Sequence, residues 1–176
     1  MLKKENILLR APEPGDIDFL FALENDEALW HVSQTQFPFS RFDLEQYVFS
    51  VNKQEPFAAG QVRFIVETTE NSAPVAIGTV DLFDLDAVHR RGGVGIALAK
   101  AWRGRSLAGK ALDLLIDYAF NLLNLHQLYC SIETGNESSL TLFKSRKFQV
   151  AGLKKEWRFV KGEWKDEYLL QLIHNE

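Results

Sequence analysis

The stretch from Val94 to Phe148 limits the possible folds more than any other part of the chain. Val94–Leu98 is a largely apolar run of the kind a central strand needs. A basic, glycine-bearing turn follows and opens into a helical pattern in which Leu107, Ala111, Leu114, Leu115, Tyr118, Ala119 and Leu122 share one face. Lys110, Asp113 and Asp117 fall on the opposite, polar face, so the helix packs on a sheet. Leu128–Glu133 then reads as a second strand, and Asn136-Glu137-Ser138-Ser139 opens a further helix. A strand, a crossover helix and a strand make two parallel strands joined by a right-handed connection.

The turn itself carries Arg103, Gly104, Arg105, Ser106, Leu107, Ala108, Gly109 and Lys110. A helix N-terminus presents unpaired N–H groups and the positive end of the helix dipole, which together favour an anion. Two arginines in the same turn add charge-assisted donors, so the segment suits a phosphorylated ligand. Gly104–Lys110 also fits the frame of a P-loop, G-x-x-x-x-G-K. That motif needs a Ser or Thr next to hold magnesium, but Ala111 stands there, and the turn lies past mid-chain behind several candidate strands. The nucleoside-triphosphate reading is therefore set aside.

The remaining elements complete a mixed α/β pattern. Asn6–Arg10 reads as a first strand, and Pro14-Gly15-Asp16 starts a helix through Leu23 with Asp16 as its N-cap. Residues 30–40 read as a loop, and Asp43–Asn52 as a helix. Val62–Thr68 and Pro74–Leu85 read as strands across an Asn71-Ser72 turn, and Gly162 closes a terminal hairpin. The expectation is about seven strands and about four helices in one domain spanning the whole chain of 176 residues.

Composition excludes several classes. With a formal net charge of −4 the chain has no general basic face for nucleic acid. No apolar run reaches the ~18 residues of a membrane span, and the start Met1-Leu2-Lys3-Lys4 is not followed by a signal-type apolar region. The expected compartment is the cytoplasm. A single cysteine, Cys130, lies in an apolar strand pattern and reads as a core residue rather than a nucleophile. A homo-oligomer is compatible with the sequence, which sets no oligomeric state.

Arg103-Gly104-Arg105-Ser106-Leu107-Ala108 resembles the pyrophosphate turn Q/R-x-x-G-x-G/A of the GNAT acyltransferases, with Ser106 in place of the central Gly. Asn136-Glu137-Ser138-Ser139 is similar to that family's N-x-x-S helix start, and Lys147-Phe148 stands where the family has Gly-Phe. Thr79–Arg91, Asn121–His126 and Glu156–Tyr168 resemble segments of spermidine N-acetyltransferases, and Leu8–Pro12 those of ribosomal-protein N-terminal acetyltransferases. The resemblance implies a GNAT fold in which strands Val94–Leu98 and Leu128–Glu133 splay apart. The pantetheine arm of acetyl-CoA would lie in the opening on the backbone of Ala97, Leu98 and Ala99. Its pyrophosphate would lie on Arg103–Lys110, with Asn136 and Phe143 beside it. The implied activity is acetyl transfer from acetyl-CoA to a primary amine of a small molecule or protein N-terminus by direct attack. The alternative is a non-catalytic acyl-CoA-binding or sensing domain.

Three departures from the family shape the chemistry expected. The helix tyrosine that usually protonates the leaving thiolate falls at Phe143, which has no proton to give. A thiol pKa near 8.5 lets the thiolate leave unaided or through water. Asp84 and Glu133 are the candidate bases, with Tyr129 a further candidate. The acid that spermidine enzymes carry after their His-Arg-Arg-Ala is absent, because Gly92 and Gly93 follow Arg91. The segment Trp30–Ser40 is not acidic either, so a long polyamine is not the expected acceptor.

Overall fold

The structure, a computed structural model, describes residues 1–174 except 34, 36 and 52. One continuous sheet holds eight strands in the order β1-β2-β3-β4-β5-β6-β8-β7. They are β1 (Leu2–Lys4), β2 (Ile7–Arg10), β3 (Val62–Glu70), β4 (Ala73–Asp86), β5 (Arg91–Leu98), β6 (Gln127–Glu133), β7 (Gln149–Val160) and β8 (Glu163–Ile173). Every neighbouring pair is antiparallel except β5–β6. The strand beyond the expected seven is β1, three residues long, folded back on β2 through Glu5 at φ 53°.

Among the described residues six α-helices surround the sheet: α1 (Ile17–Glu24), α2 (Glu27–Ser33), α3 (Arg41–Val51), α4 (Pro56–Ala59), α5 (Leu107–Asp117) and α6 (Glu137–Lys144). Two of them correct the sequence reading. Part of the expected loop at 30–40 is α2, which Asp26 starts by accepting the Ala28 N–H (3.0 Å), while the Trp30 indole donates to Glu24 O (2.9 Å). The short α4 begins at Pro56 and stops at Gly60 in the left-handed region, φ 70°. Asn52, the expected end of α3, lies outside the described residues.

Helix α5 buries Leu107, Ala111, Leu114 and Leu115 on the sheet, as its periodicity requires, and Leu112 as well, whereas Leu122, expected on the same face, is exposed because the helix loosens before it. Each of the buried leucines contributes about 1.5–3 kcal/mol of burial. Its continuation Tyr118–Leu122 loosens into a π turn in which Leu123 N donates to Tyr118 O (3.1 Å). Leu140 and Phe143 of α6 join the same core, together with Cys130. On the opposite face Leu20 of α1, Leu44 and Val48 of α3 and Ile65 of β3 form a smaller cluster. Asp16 is not the side-chain cap expected of it. It is a buried clamp on α1, taking two bonds of 2.7 Å from Arg10 and one from Glu13 N (2.8 Å).

At the far edge, Lys161 (φ 50°) and Gly162 (φ 85°) make the two-residue turn that joins β7 to β8. Among the described residues no helix is long and apolar enough to cross a membrane.

Candidate functional site

Strands β5 and β6 pair only from Arg91↔Gln127 to Gly93↔Tyr129. Beyond that point each keeps its outer partner, β4 or β8, and the two diverge. The gap opens into a cleft of about 1510 Å³ that passes through the sheet. On one face the cleft reaches the N-terminus of α5 and the end of α6, and on the other Glu24, Tyr47 and Arg63.

The edge of β5 facing the gap follows from its ladder. Ala99 N donates to Ile77 O (2.9 Å), so Ala99 belongs to the pairing with β4. Antiparallel bonding alternates every second residue, so Ala97 also turns its backbone to β4, while Ile96 and Leu98 turn theirs to the gap. Of the three backbone positions expected to meet a cofactor, Leu98 therefore offers its N–H. Ala97 borders the cleft, and Ala99 is committed elsewhere.

The phosphate-type turn has the expected shape with a different distribution of charge. Gly104 (φ 74°) and Ser106 (φ 60°) both sit in the left-handed region, and Leu107 starts α5 directly after. Ser106 thus adopts a conformation that glycine enters without strain. Arg105 is exposed at the cleft, with its guanidinium 4.9 Å from the centre of the Trp102 ring. Arg103 is turned back: Nε donates to Leu98 O (2.8 Å), and Nη2 lies 3.4 Å from Asp26. Lys110 leaves the site altogether, donating to Glu5 (2.6 Å) and Asn6 (3.1 Å), because the polar face of α5 lies against the β1–β2 turn.

A cation that the sequence did not single out takes the place left by Lys110. Arg146, in the turn after α6, donates from Nε to Asp113 of α5 (3.1 Å) and from Nη1 to Ser145 (2.6 Å). Its Nη2 lies over Gly109, where an added Cβ would be 1.9 Å away. The guanidinium thus runs along α5 from Asp113 toward the N-terminal turn. Lys147 follows at φ 68°, which explains why a glycine suits that position.

Asn136 caps α6, its Oδ1 accepting from Ser139 N (3.2 Å) and Ser138 Oγ (3.0 Å). Phe143 lines the cleft, almost wholly buried and edge-on to Phe148 at 5.0 Å. Cys130 is buried, and burial pushes its thiol up to about 12, so it is no nucleophile.

The face lined by α1–α3 is rich in carboxylates, and their partners separate them. Arg63 bonds Glu24 (2.6 Å) and Asp81 (2.6 Å) and sits over the Tyr47 ring, so those two carboxylates share one cation. Burial pushes Tyr47 up to about 12. Asp84, at φ 48° in the irregular end of β4, accepts the Tyr129 hydroxyl (3.1 Å). Burial, then the Asp84 charge and hydrogen bond, push Tyr129 up to about 12, so it remains a neutral donor. Gly93 stands against the Phe83 ring, 2.3 Å from where its Cβ would be, so an aromatic floor occupies the place of a side chain there. Glu133, at the open end of β6, is the register partner of Glu167 on β8, a carboxylate that sequence reading missed.

A family model described as an acetyltransferase (GNAT) domain matches residues 6–149. The chain is 27% identical over 168 residues to a spermidine N(1)-acetyltransferase of Vibrio cholerae serotype O1, covering 94% of this chain and 93% of that one. It is 27% identical over 166 residues to the spermidine N(1)-acetyltransferase of Escherichia coli K12, covering 94% and 85%. The crystal structure of spermidine N-acetyltransferase from Vibrio cholerae in complex with CoA and spermine superposes with a TM-score of 0.85 at 25% identity, covering 96% of this chain and 95% of that chain.

Proposed function

The chain belongs to the GNAT acetyltransferase family, moving an acetyl group from acetyl-CoA to an amine, and we propose that its acceptor is a primary amine of a small molecule bound on the α1–α3 face of the cleft. The observation that carries this reading is the cleft itself. It joins a phosphate-type turn on one face of the sheet to a carboxylate-lined chamber on the other, through the opening between β5 and β6. Two relatives that match nearly the whole chain are named for spermidine, itself a small amine.

Acetyl-CoA supplies the thioester. The residues at the α5 turn fit its phosphates: a helix N-terminus, the left-handed Gly104 and Ser106, and the guanidinium groups of Arg105 and Arg146. The Leu98 N–H, facing the gap, polarises the carbonyl that the amine attacks. Asp84 takes the proton that the ammonium must lose, directly or through one water, and Tyr129 orients that carboxylate. Phe143 has no proton to give, so the thiolate departs unaided and is protonated once it reaches solvent.

Thiol release from acetyl-CoA with a panel of small primary amines tests the reading. Turnover that Asp84→Asn reduces about a hundredfold is expected. Tight CoA binding with no thiol release from any amine would overturn it in favour of a non-catalytic acyl-CoA holder.

A further inference from the structure

Glu133 and Glu167 are opposite residues on neighbouring antiparallel strands, so their side chains leave the same face of the sheet. Like charges in that arrangement repel unless a cation lies between them. Lys154 touches the pair, and Lys165 feels the charge of Glu133. Lys154 Nζ donates to Glu167 Oε1 (2.6 Å) and to Ser131 Oγ (3.0 Å), and sits 4.8 Å from the centre of the Trp157 ring. Lys165 and Arg158 stand on the same hairpin, and Lys165 bonds Glu163.

The pair is nevertheless incomplete. Glu167 is 1% exposed, and its Oε2 is buried with no hydrogen-bond partner among the described residues. The Oε2 of Glu133 is in the same condition. Both residues line the cleft, with Ser131 and Trp157. A buried carboxylate oxygen without a donor loses its hydration and receives nothing in return, which native structures rarely leave uncorrected. A primary ammonium answers this need, since it brings three donors and a positive charge to two acceptors.

We propose that Glu133 and Glu167 form a cation subsite of the acceptor chamber that takes a second ammonium group of the acceptor, so that the enzyme prefers a diamine to a monoamine. The proposal rests on the reading that the cleft takes a small amine. This subsite is not where the reacting nitrogen is deprotonated. Glu133 lies four residue steps along β6 from Tyr129, about 13 Å in an extended strand. Two carboxylates around one ammonium also favour its charged form, which cannot attack a carbonyl. They suit the end of the acceptor that remains charged. Trp157, at the same wall and 59% exposed, offers that cation an aromatic face. The absence of acidic residues in Trp30–Ser40, which argues against polyamines in the sequence, is thus offset by carboxylates from β6 and β8.

The test compares 1,8-diaminooctane with 1-aminooctane, whose chains match while one ammonium is missing. With the wild type, kcat/KM for the diamine should exceed that for the monoamine at least about tenfold, the effect of one charge-assisted contact. Glu167→Gln and Glu133→Gln should each bring that ratio down about tenfold, mainly through KM for the diamine. CoA binding, followed by calorimetry, reports that each variant is folded, and Glu133, half-buried at a strand end, is the safer of the two substitutions. A wild-type ratio near one, or a ratio unchanged in both variants, overturns the subsite and leaves the acetyl-transfer reading standing. Calorimetry of the CoA-loaded protein with 1,8-diaminooctane separates the two claims in the other direction. Binding that needs both carboxylates, without acetylation of any amine, supports the subsite and removes the acceptor reading.

Discussion

Single residues decide how charge and protons are handled at this cleft. Gly109 is constrained by contact, because the Arg146 guanidinium occupies the place of a side chain there. Gly109→Ala should displace Arg146 from the α5 turn, and Arg146→Ala should remove its charge. Each is expected to weaken CoA binding about tenfold by calorimetry, the magnitude of one charged hydrogen bond. Undiminished affinity in both would show that Arg146 serves α5 through Asp113 alone. Phe143 supports a second prediction. Its ring lines the cleft, and in the proposed arrangement a phenol there would reach the leaving sulfur. Phe143→Tyr should fold, bind CoA and turn over faster near pH 6, by up to about a hundredfold, with the gain shrinking as pH approaches the thiol pKa near 8.5. A variant that binds CoA but shows no gain at any pH would mean that thiolate departure does not limit the rate.

Elements place these residues, and some placements are readable from local sequence while others are not. The apolar stripe of α5, the Asn136 cap of α6 and the Lys161-Gly162 turn announce themselves within a few residues, since each is a short-range pattern. Helix α2 does not, because what holds it is the bond from the Trp30 indole to Glu24 and the turn at Asp26. Lys110 looks like a phosphate ligand until β1 folds back and brings Glu5 to it, 105 positions away in sequence. Arg146 reads as the solvated end of α6, and Glu167 as one of several polar residues in a hairpin strand. Their roles exist only once α6 meets α5 and β8 pairs with β6. The clamp on α1 gives a prediction at this scale. Burial opposes charge on Asp16, but Arg10 and the Glu13 amide outweigh it, so the carboxyl is held below its ordinary value. A depressed folded pKa stabilises the fold above the unfolded value near 3.9 and stops doing so as pH falls through the folded pKa. Asp16→Asn should therefore cost about 1–3 kcal/mol at neutral pH, and urea unfolding should show the deficit narrowing below about pH 4. A deficit independent of pH would place the effect in packing rather than in the ion pair.

For the whole molecule, the decisive property is that the cleft crosses the sheet, with phosphate-type groups on one face and amine-type groups on the other. In the proposed arrangement two substrates entering from opposite faces occupy the cleft together without competing for one volume. The thiol nearest the passage is not suited to carry the acetyl between them. Cys130 lies in the core between Leu128 and Ile132, and burial holds its thiol protonated at about 12, far from the thiolate that a covalent carrier needs. Transfer must then occur inside a complex of both substrates. Initial rates measured across acetyl-CoA and amine concentrations should give intersecting double-reciprocal lines, as a sequential mechanism requires. Cys130→Ala should keep the same pattern, with a stability loss of about 1–2 kcal/mol from the small cavity it leaves. Parallel lines, or a burst of thiol release without amine, would reveal an acetylated enzyme and displace direct attack. Such a result would also require a nucleophile from another part of the cleft, and Ser131 and Ser138, which both line it, would be the residues to replace first.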